Sequence, residues 1–295
     1  MALPRFLIIG AMKCGTTTLF NDLASHPAIY GPDDKEPHAL VDDTVLTAEG
    51  GRAYERLFAR AGDEQICFEA STHYTQRPKF GGVPERARQL LGPGLKVIYL
   101  VRDPIDRTVS HLHHALAGGV LDEPALDRAL DLFPDLIDFS RYTMQITPWI
   151  ETLGRENVRI YRFEDYVADR LAHARDAWTW LGLEPLGRLD EPDKVHNPSE
   201  GRPAVRGLWR SLGSSRAYRR LLRPLLPRSA RERLRGALVP KSTVRPAPPT
   251  LAALQRVVTA VRDDVEGLGR IMGRSAPLWD LESTVRRRAA REEVS

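Results

Sequence analysis

The residues with the clearest chemical potential lie in the stretch Phe6 to Phe20, FLIIGAMKCGTTTLF. An apolar run predicts a short buried strand that ends at Gly10, and Thr16 to Thr18 open a helix after a loop that holds Lys13 and Gly15. The first N–H groups of a helix have no intrahelical acceptor, and the helix dipole adds about half a positive charge at that end. The stretch therefore predicts an anion-binding loop, with an ordinary threonine-capped turn as the alternative.

The position of the lysine limits which anion this loop binds. In nucleotide triphosphatases the lysine directly follows the second glycine, and the hydroxyl next to it binds magnesium. Here Gly10 and Gly15 have the same spacing, but Thr16 stands in the lysine position and Lys13 lies inside the loop. This register argues against a P-loop kinase or NTPase, which stays as an alternative. A lysine inside the loop can instead contact a phosphate ester without an obligatory metal.

A second candidate phosphate site follows the apolar strand predicted at Leu95 to Val101. Arg102 comes at the end of this strand, Pro104 suits the first turn of the next helix, and Ser110 lies within that helix. A planar guanidinium contacts two phosphate oxygens at once, and a hydroxyl adds a further hydrogen bond. The pair therefore predicts a phosphate site, with a surface arginine and a helix-facing serine as the alternative.

Two further polar groups have side chains suited to acid–base chemistry. Lys35, Glu36 and His38 lie in a segment that can fold back over the anion-binding loop, although polar residues on such loops are more often solvated surface. His73 lies in a polar cluster that follows the strand predicted at Gln65 to Glu69. Open α/β sheets place their ligands at such strand ends. Both groups are therefore candidates for a site.

These motifs are similar to those of the sulfotransferases that use 3′-phosphoadenosine 5′-phosphosulfate (PAPS). The resemblance extends from Phe6 to about Trp279; it is specific at the Lys-x-Gly-Thr-Thr loop and at RDPIDRTVS, the 3′-phosphate motif, and weaker in a later loop. It implies sulfuryl transfer from PAPS, the co-substrate, to an acceptor hydroxyl without a metal. The cofactor-binding residues that it implies are Lys13, Cys14, Gly15, Thr16, Thr17, Thr18, Arg102, Ser110, Ser199, Gly201 and Arg202.

The resemblance also implies the catalytic residues. In the branch similar to heparan-type and carbohydrate sulfotransferases, a glutamate in a Lys-Glu-Pro-His-like segment deprotonates the acceptor hydroxyl, and Glu36 takes that position. Lys13 would stabilise charge on the departing phosphate. The family often has a lysine or a histidine after the strand that corresponds to Gln65 to Glu69. Here Ala70 occupies the lysine position and His73 is offset from the histidine position by about one residue. His73 is therefore the second candidate base.

The predicted strands and helices around these residues indicate an α/β fold. We expect a P-loop-like three-layer sandwich on a central, mainly parallel sheet, with a helical C-terminal extension. We predict a single domain over 1–295, with an α/β core over 1–192, a lid loop and arginine-rich helices over 193–250, and a helix over 251–285 that packs on the core. An amphipathic helix is predicted at Gly51 to Ala61. The closing RRRAAREEVS is predicted to fray.

Composition narrows the class of protein. The 295 residues are 42% hydrophobic and 28% charged, and no apolar run approaches the ~20 residues needed to cross a bilayer. Met1 to Arg5 lacks the apolar region of a signal peptide. Two cysteines, Cys14 and Cys67, do not make a disulfide framework. We therefore expect reduced thiols and a cytoplasmic protein, of the kind found among bacterial tailoring enzymes.

Basic residues are concentrated late in the chain. Arg202 to Arg235 holds eleven arginines against one acid, Glu232. Such a stretch suits peripheral contact with an anionic surface or with an acidic substrate. A basic nucleic-acid-binding protein is a further alternative, but it leaves the anion-binding loop and the RDP motif unexplained, so we predict no nucleic-acid partner. The acceptor is expected to be a small molecule or a carbohydrate, and the motifs do not distinguish the two.

Overall fold

The computed structural model describes residues 3–194 and 246–290. Within them five strands form one sheet in the order β2-β3-β1-β4-β5, and every neighbouring pair is parallel. All five residues of β1 and all five of β3 are buried, as expected for strands covered on both faces. The strands are β1 Phe6–Gly10, β2 Ile29–Tyr30, β3 Ile66–Ala70, β4 Lys96–Val101 and β5 Val158–Arg162.

The helices complete the α/β fold that the sequence predicts. They are α1 Thr16–Ala24, α2 Ala48–Glu55, α3 Val83–Leu91, α4 Pro104–Ala117, α5 Leu126–Leu132, α6 Asp135–Asp138, α7 Tyr142–Leu153, α8 Phe163–Ala168, α9 Arg170–Trp180, α10 Leu251–Ile271 and α11 Leu281–Ala289. Short 3₁₀ turns cover Ala39–Val41, Asp43–Leu46, Arg56–Phe58, Thr72–Thr75 and Arg155–Asn157. Among the helices of the described ranges, none has both the length and the apolar composition needed to span a membrane.

The order of the strands creates a crevice at the carboxyl end of β1. The chain leaves β1 toward β2 on one side of the sheet, whereas β3 connects to β4 and β4 to β5 toward the other side. Because parallel crossovers are right-handed, connections that run in opposite directions cover opposite faces. The loops after β1 and β4 therefore diverge, and open α/β sheets bind their ligands at such a point.

The helix predicted over residues 51–61 begins earlier and is shorter. Thr47 is its N-cap, with a side-chain oxygen that accepts a hydrogen bond from the Gly50 N–H at 3.1 Å. This capping bond fixes the start of α2, and the chain tightens into a 3₁₀ turn at Arg56–Phe58. Tyr54 and Phe58 are the buried anchors of this segment.

The C-terminal helices pack on the sheet domain. α10 buries a stripe of valines and leucines and contacts α4 and α7, while α11 contacts α4. The prediction that the closing segment frays is wrong up to Ala289, because α11 continues to that residue. Arg287 and Arg288 donate to the Asp106 carboxylate on α4 at 3.0 and 2.7 Å. A carboxylate nearly two hundred residues away thus holds these arginines.

Candidate active site

The anion-binding loop has the geometry that its glycine demands. Gly15 is the N-cap of α1 with a φ of 86°, and a Cβ placed there would lie 2.8 Å from the Phe163 ring. The N-cap makes no side-chain capping bond, and the first turn of α1, all of it described, holds no acidic residue. The positive end of α1 is therefore not neutralised by its own helix, which favours an anion there.

Arg102 lies directly beside this loop. Its Nη1 donates to the Lys13 carbonyl at 3.4 Å, and its guanidinium stacks 4.8 Å from the centre of the Phe163 ring. The Tyr142 hydroxyl donates to the Arg102 carbonyl at 2.6 Å and so fixes the end of β4. The two candidate phosphate sites thus adjoin at the crevice between β1 and β4.

Two other predicted cofactor residues are largely buried. Ser110 lies on α4, about two turns after Pro104, with 8% of its surface exposed. Burial raises the pKa of the Cys14 thiol to about 12, so it is protonated at neutral pH. Any contact of Cys14 with an anion would use its backbone rather than a thiolate. Ser199, Gly201, Arg202 and the basic stretch Arg202 to Arg235 lie outside the described residues.

Lys35 connects the anion-binding loop to the predicted base. Its Nζ lies 3.3 Å from Thr16 Oγ1 and 2.9 Å from Glu36 Oε1. The Thr72 hydroxyl donates to Glu36 Oε2 at 3.1 Å. Burial raises the pKa of Glu36, but Lys35 and these hydrogen bonds outweigh it, and the net pKa is below the ordinary value. Glu36 is therefore a carboxylate at neutral pH, one side chain away from the start of α1.

His38 and His73 stand beside Glu36. Their ring centres are 3.9 Å apart, and one ligand-type atom from each of the three side chains lies within 4.8 Å of the others. Burial, followed by the charge of His38, lowers the pKa of His73 to about 4, so this imidazole is neutral at pH 7. Its Nδ1 is buried and has no hydrogen-bond partner in the described part of the chain. Glu36 and His73 therefore share one cluster.

A buried carboxyl group fixes the loop that carries this cluster. Glu69 Oε1 accepts hydrogen bonds from the Tyr54 and Tyr74 hydroxyls, and Oε2 accepts one from Ser71 at 2.9 Å. Ser71 Oγ in turn accepts from the His38 N–H at 3.2 Å. Burial raises the pKa of Glu69 to about 7. This network positions His38, which has a left-handed backbone with a φ of 58°.

The structure gives Lys35 and His38, which the sequence named without assigning them a catalytic or binding role, definite contacts in the site. Both belong to the Lys35–His38 segment, so the sequence motif pointed to the right place. From the motif, however, only Glu36 received a predicted role. The prediction that this segment folds back over the anion-binding loop is confirmed by the contact between Lys35 and Thr16. The Lys35 carbonyl also accepts the Ala70 N–H at 3.1 Å, which aligns the segment with the end of β3.

Comparison with known sequences finds proteins to which this chain is similar. The family described as "Sulfotransferase domain" matches residues 82–195, a range that includes Arg102 and Ser110. Carbohydrate sulfotransferase 15 of Homo sapiens is 24% identical over 273 residues, covering 70% of this chain and 49% of that protein. Heparan sulfate glucosamine 3-O-sulfotransferase 5 of Mus musculus is 24% identical over 210 residues, covering 68% of this chain and 58% of that protein. The chain thus spans about half the length of these relatives.

Comparison with solved structures supports the same fold. The crystal structure of a sulfotransferase from Alicyclobacillus acidocaldarius aligns with a TM-score of 0.64 and 21% identity, covering 97% of this chain and 100% of that one. The fold and the crevice define a P-loop-like α/β protein with the lysine inside its anion-binding loop. The matched family model and the named relatives show that this chain is similar to the sulfotransferases over these ranges.

Proposed function

We propose that the protein transfers the sulfuryl group of PAPS to a hydroxyl of an acceptor, releasing adenosine 3′,5′-bisphosphate. The observation that carries the proposal is the position of Lys35, whose Nζ contacts both Thr16 at the start of α1 and the Glu36 carboxylate. A candidate base thereby lies next to the place where the fold favours an anion.

The donor side of the crevice suits the phosphates of PAPS. Lys13, Arg102 and the start of α1 provide positive charge on one side of the sheet edge, and the first turn of α1 has no acid to compete with a ligand. In the transfer, the S–O bond to the 5′-phosphate breaks and its electron pair remains on the phosphate oxygen. Lys13 and the helix dipole would stabilise that charge, while Arg102 and Ser110 would hold the 3′-phosphate.

The acceptor side suits removal of a proton from a hydroxyl. Glu36 is ionised, so its carboxylate can accept the proton as the acceptor oxygen forms its bond to sulfur. The lowered pKa makes Glu36 a weak base on its own, and proton transfer would therefore accompany attack rather than precede it. The Glu36 carboxylate and an anion bound at the start of α1 would repel each other, and the Lys35 ammonium group, which contacts Glu36, offsets part of this repulsion.

A carbohydrate hydroxyl is the acceptor class that the names of the relatives favour. A small-molecule hydroxyl fits the same chemistry. The cytoplasmic setting, the absence of a nucleic-acid partner and a metal-independent reaction stay predictions from the sequence.

Thermal unfolding with three ligands tests the proposal. A ligand that binds only the folded state raises the free energy of unfolding, by about 2.7 kcal/mol at a concentration of a hundred times Kd, and the melting temperature rises with it. We expect adenosine 3′,5′-bisphosphate to stabilise the protein, and Mg-ATP and duplex DNA to leave it unchanged. Stabilisation by Mg-ATP or DNA alone would instead support a kinase, an NTPase or a nucleic-acid-binding protein. Mass spectrometry of reactions with PAPS and a panel of sugars and alcohols then identifies the acceptor by its added sulfuryl group.

A further inference from the structure

The Glu36, His38 and His73 cluster has a property that sulfuryl transfer does not require. Its side chains come from two separate segments, and each is half-buried and so reachable from solvent. One carboxylate oxygen and two imidazole nitrogens lie within 4.8 Å of one another. The arrangement is that of a three-residue ligand set for a metal ion.

The spacing allows one ion to contact all three groups. If three atoms are no more than 4.8 Å apart, some point lies within about 2.8 Å of each, since 4.8 divided by √3 is 2.8. Zinc bonds to histidine nitrogen and carboxylate oxygen are about 2.0–2.2 Å long. Each ligand atom therefore needs to move by at most ~0.7 Å, a displacement within reach of small side-chain rotations.

The ligand types select the class of ion. Two imidazoles with one carboxylate suit zinc, cobalt and nickel, whereas magnesium prefers oxygen ligands alone. Neighbouring groups already orient the set, because Thr72 donates to Glu36 Oε2 and Ser71 holds the His38 backbone. Such supporting bonds are typical around metal ligands. Lys35 acts against an ion, because its ammonium group contacts Glu36 Oε1.

We propose that Glu36, His38 and His73 form a binding site for a divalent transition-metal ion of the zinc class, and that the ion inhibits the enzyme. Inhibition follows because a metal-bound carboxylate cannot accept the proton of the acceptor. The inhibitory half rests on the proposed function, whereas the binding half depends only on the three side chains. The ion would leave the nucleotide contacts at Arg102 and Ser110 in place.

Binding is tested without any assay of activity. Tag-free protein is titrated with Co²⁺, and the visible bands of a four- or five-coordinate ion are followed. We expect one Co²⁺ per chain, displacement by Zn²⁺ and no displacement by Mg²⁺. His38→Ala and His73→Ala should each weaken Co²⁺ binding by at least ~10–100-fold, the loss caused by removing even an outer-shell partner. His173→Ala on α9, where the ring contacts Tyr161 and Tyr166, is the matched control and should bind like the wild type.

The outcomes separate the two halves of the proposal. A wild-type spectrum that stays that of aqueous Co²⁺ overturns the site without relying on any variant, and so does unchanged affinity in folded His38→Ala and His73→Ala proteins. If the site binds, Zn²⁺ should lower sulfuryl transfer while adenosine 3′,5′-bisphosphate affinity is unchanged. Full turnover in Zn²⁺-saturated protein overturns inhibition alone. A protein that transfers no sulfuryl group under any condition removes the proposed function, while the Co²⁺ titration still decides the site.

Discussion

The ends of β3 and β4 carry the two halves of the proposed site, and they are built differently. At the end of β4, the Asp103 N–H donates to Glu164, and the Asp103 carboxylate accepts from the Thr284 hydroxyl on α11 at 2.7 Å. Elements distant in sequence therefore brace this strand end. Beyond the end of β3, Glu36 and His73 are half-buried.

This difference matches two tasks. In the proposed reaction the donor nucleotide is the same in every turnover, so a braced site at β4 would cost little and would keep its phosphate contacts in place. The acceptor must enter and its product must leave, so the groups beyond β3 remain reachable from solvent. We therefore expect substitutions of Glu36 and His73, beyond the end of β3, to affect the chemical step, and those at the end of β4 to affect nucleotide affinity or stability.

The largest effect is expected at Glu36. Glu36→Gln keeps the shape of the side chain and removes its basicity, so sulfuryl transfer should fall by about 10²–10⁴-fold. Single-turnover measurements with PAPS and the best acceptor of the panel give the rate. Calorimetry with adenosine 3′,5′-bisphosphate is the control, because its affinity should stay nearly unchanged.

His73→Ala sharpens this result, since both side chains lie in one cluster. We expect His73→Ala to lose less activity than Glu36→Gln, because His73 is offset from the family position. Its loss should lie mainly in acceptor binding and less in the single-turnover rate. A rate that collapses in His73→Ala and survives in Glu36→Gln would reverse the two roles. Comparable collapse in both variants would mean that the cluster acts as a unit.

Lys13→Ala is expected to lower turnover by about 10²–10³-fold, the usual effect of removing one charge-stabilising contact. The loss should appear in the rate of a single turnover, because Lys13 is proposed to stabilise charge that develops on the departing phosphate. Lys13→Arg is the companion variant and should recover part of the rate. Near-normal turnover in Lys13→Ala would remove this lysine from the mechanism.

Arg102 and Ser110 should act on affinity rather than rate. Arg102→Ala should weaken adenosine 3′,5′-bisphosphate binding by about 10–100-fold, because a hydrogen bond to a charged group is worth roughly 1.5–3 kcal/mol. Ser110→Ala should cause a smaller loss, since it removes one neutral hydroxyl. Isothermal titration measures both. Unchanged binding in the two variants would place the 3′-phosphate elsewhere.

The part of the site that the sequence predicts is local. The loop from Gly10 to Gly15 and the start of α1 follow from neighbouring residues, because a strand, a glycine and a helix start specify each other over a few positions. Arg102 is similarly fixed by the strand before it and by Pro104 after it. In the structure, the strands and helices on either side of the loop and of Arg102 begin and end close to the predicted boundaries.

Contacts between distant segments could not be predicted in the same way. Glu36 meets His73 because β2, only two residues long, pairs with β3 and brings the following segment across the sheet edge. Two residues carry too little periodicity to reveal a strand. The closing RRRAAREEVS was wrongly predicted to fray over its first residues for a similar reason, since Asp106, which binds Arg287 and Arg288, lies far away in the chain.

Glu69 gives a test of how the end of β3 is held. Burial raises its folded-state pKa to about 7, whereas an unfolded glutamate titrates near 4.5. Between these values the unfolded chain has lost the proton that the folded protein keeps, so the free energy of unfolding should fall as pH rises from about 4.5 to 7. Urea unfolding of Glu69→Gln should lack this part of the decline. An equally steep decline in the variant would mean that Glu69 is already ionised in the folded protein.

Asp106 gives the smallest and opposite effect at the end of β4. Burial raises its pKa, but Arg288 and Arg287 outweigh burial, and the net pKa lies below its ordinary value. A lowered folded-state pKa adds stability above the unfolded pKa of about 3.8, and this stability is lost as pH falls through the folded-state pKa. Asp106→Asn should therefore cost about 1 kcal/mol at pH 7, a modest value because Arg287 is 47% exposed and its charge is screened. The difference between wild type and variant should vanish at the acid end of the titration. Arg286→Ala, on the same helix, is the control and should leave the pH profile unchanged. If the difference in the free energy of unfolding between wild type and Asp106→Asn persists undiminished in acid, packing of α11, and not the ionised carboxylate, stabilises this strand end.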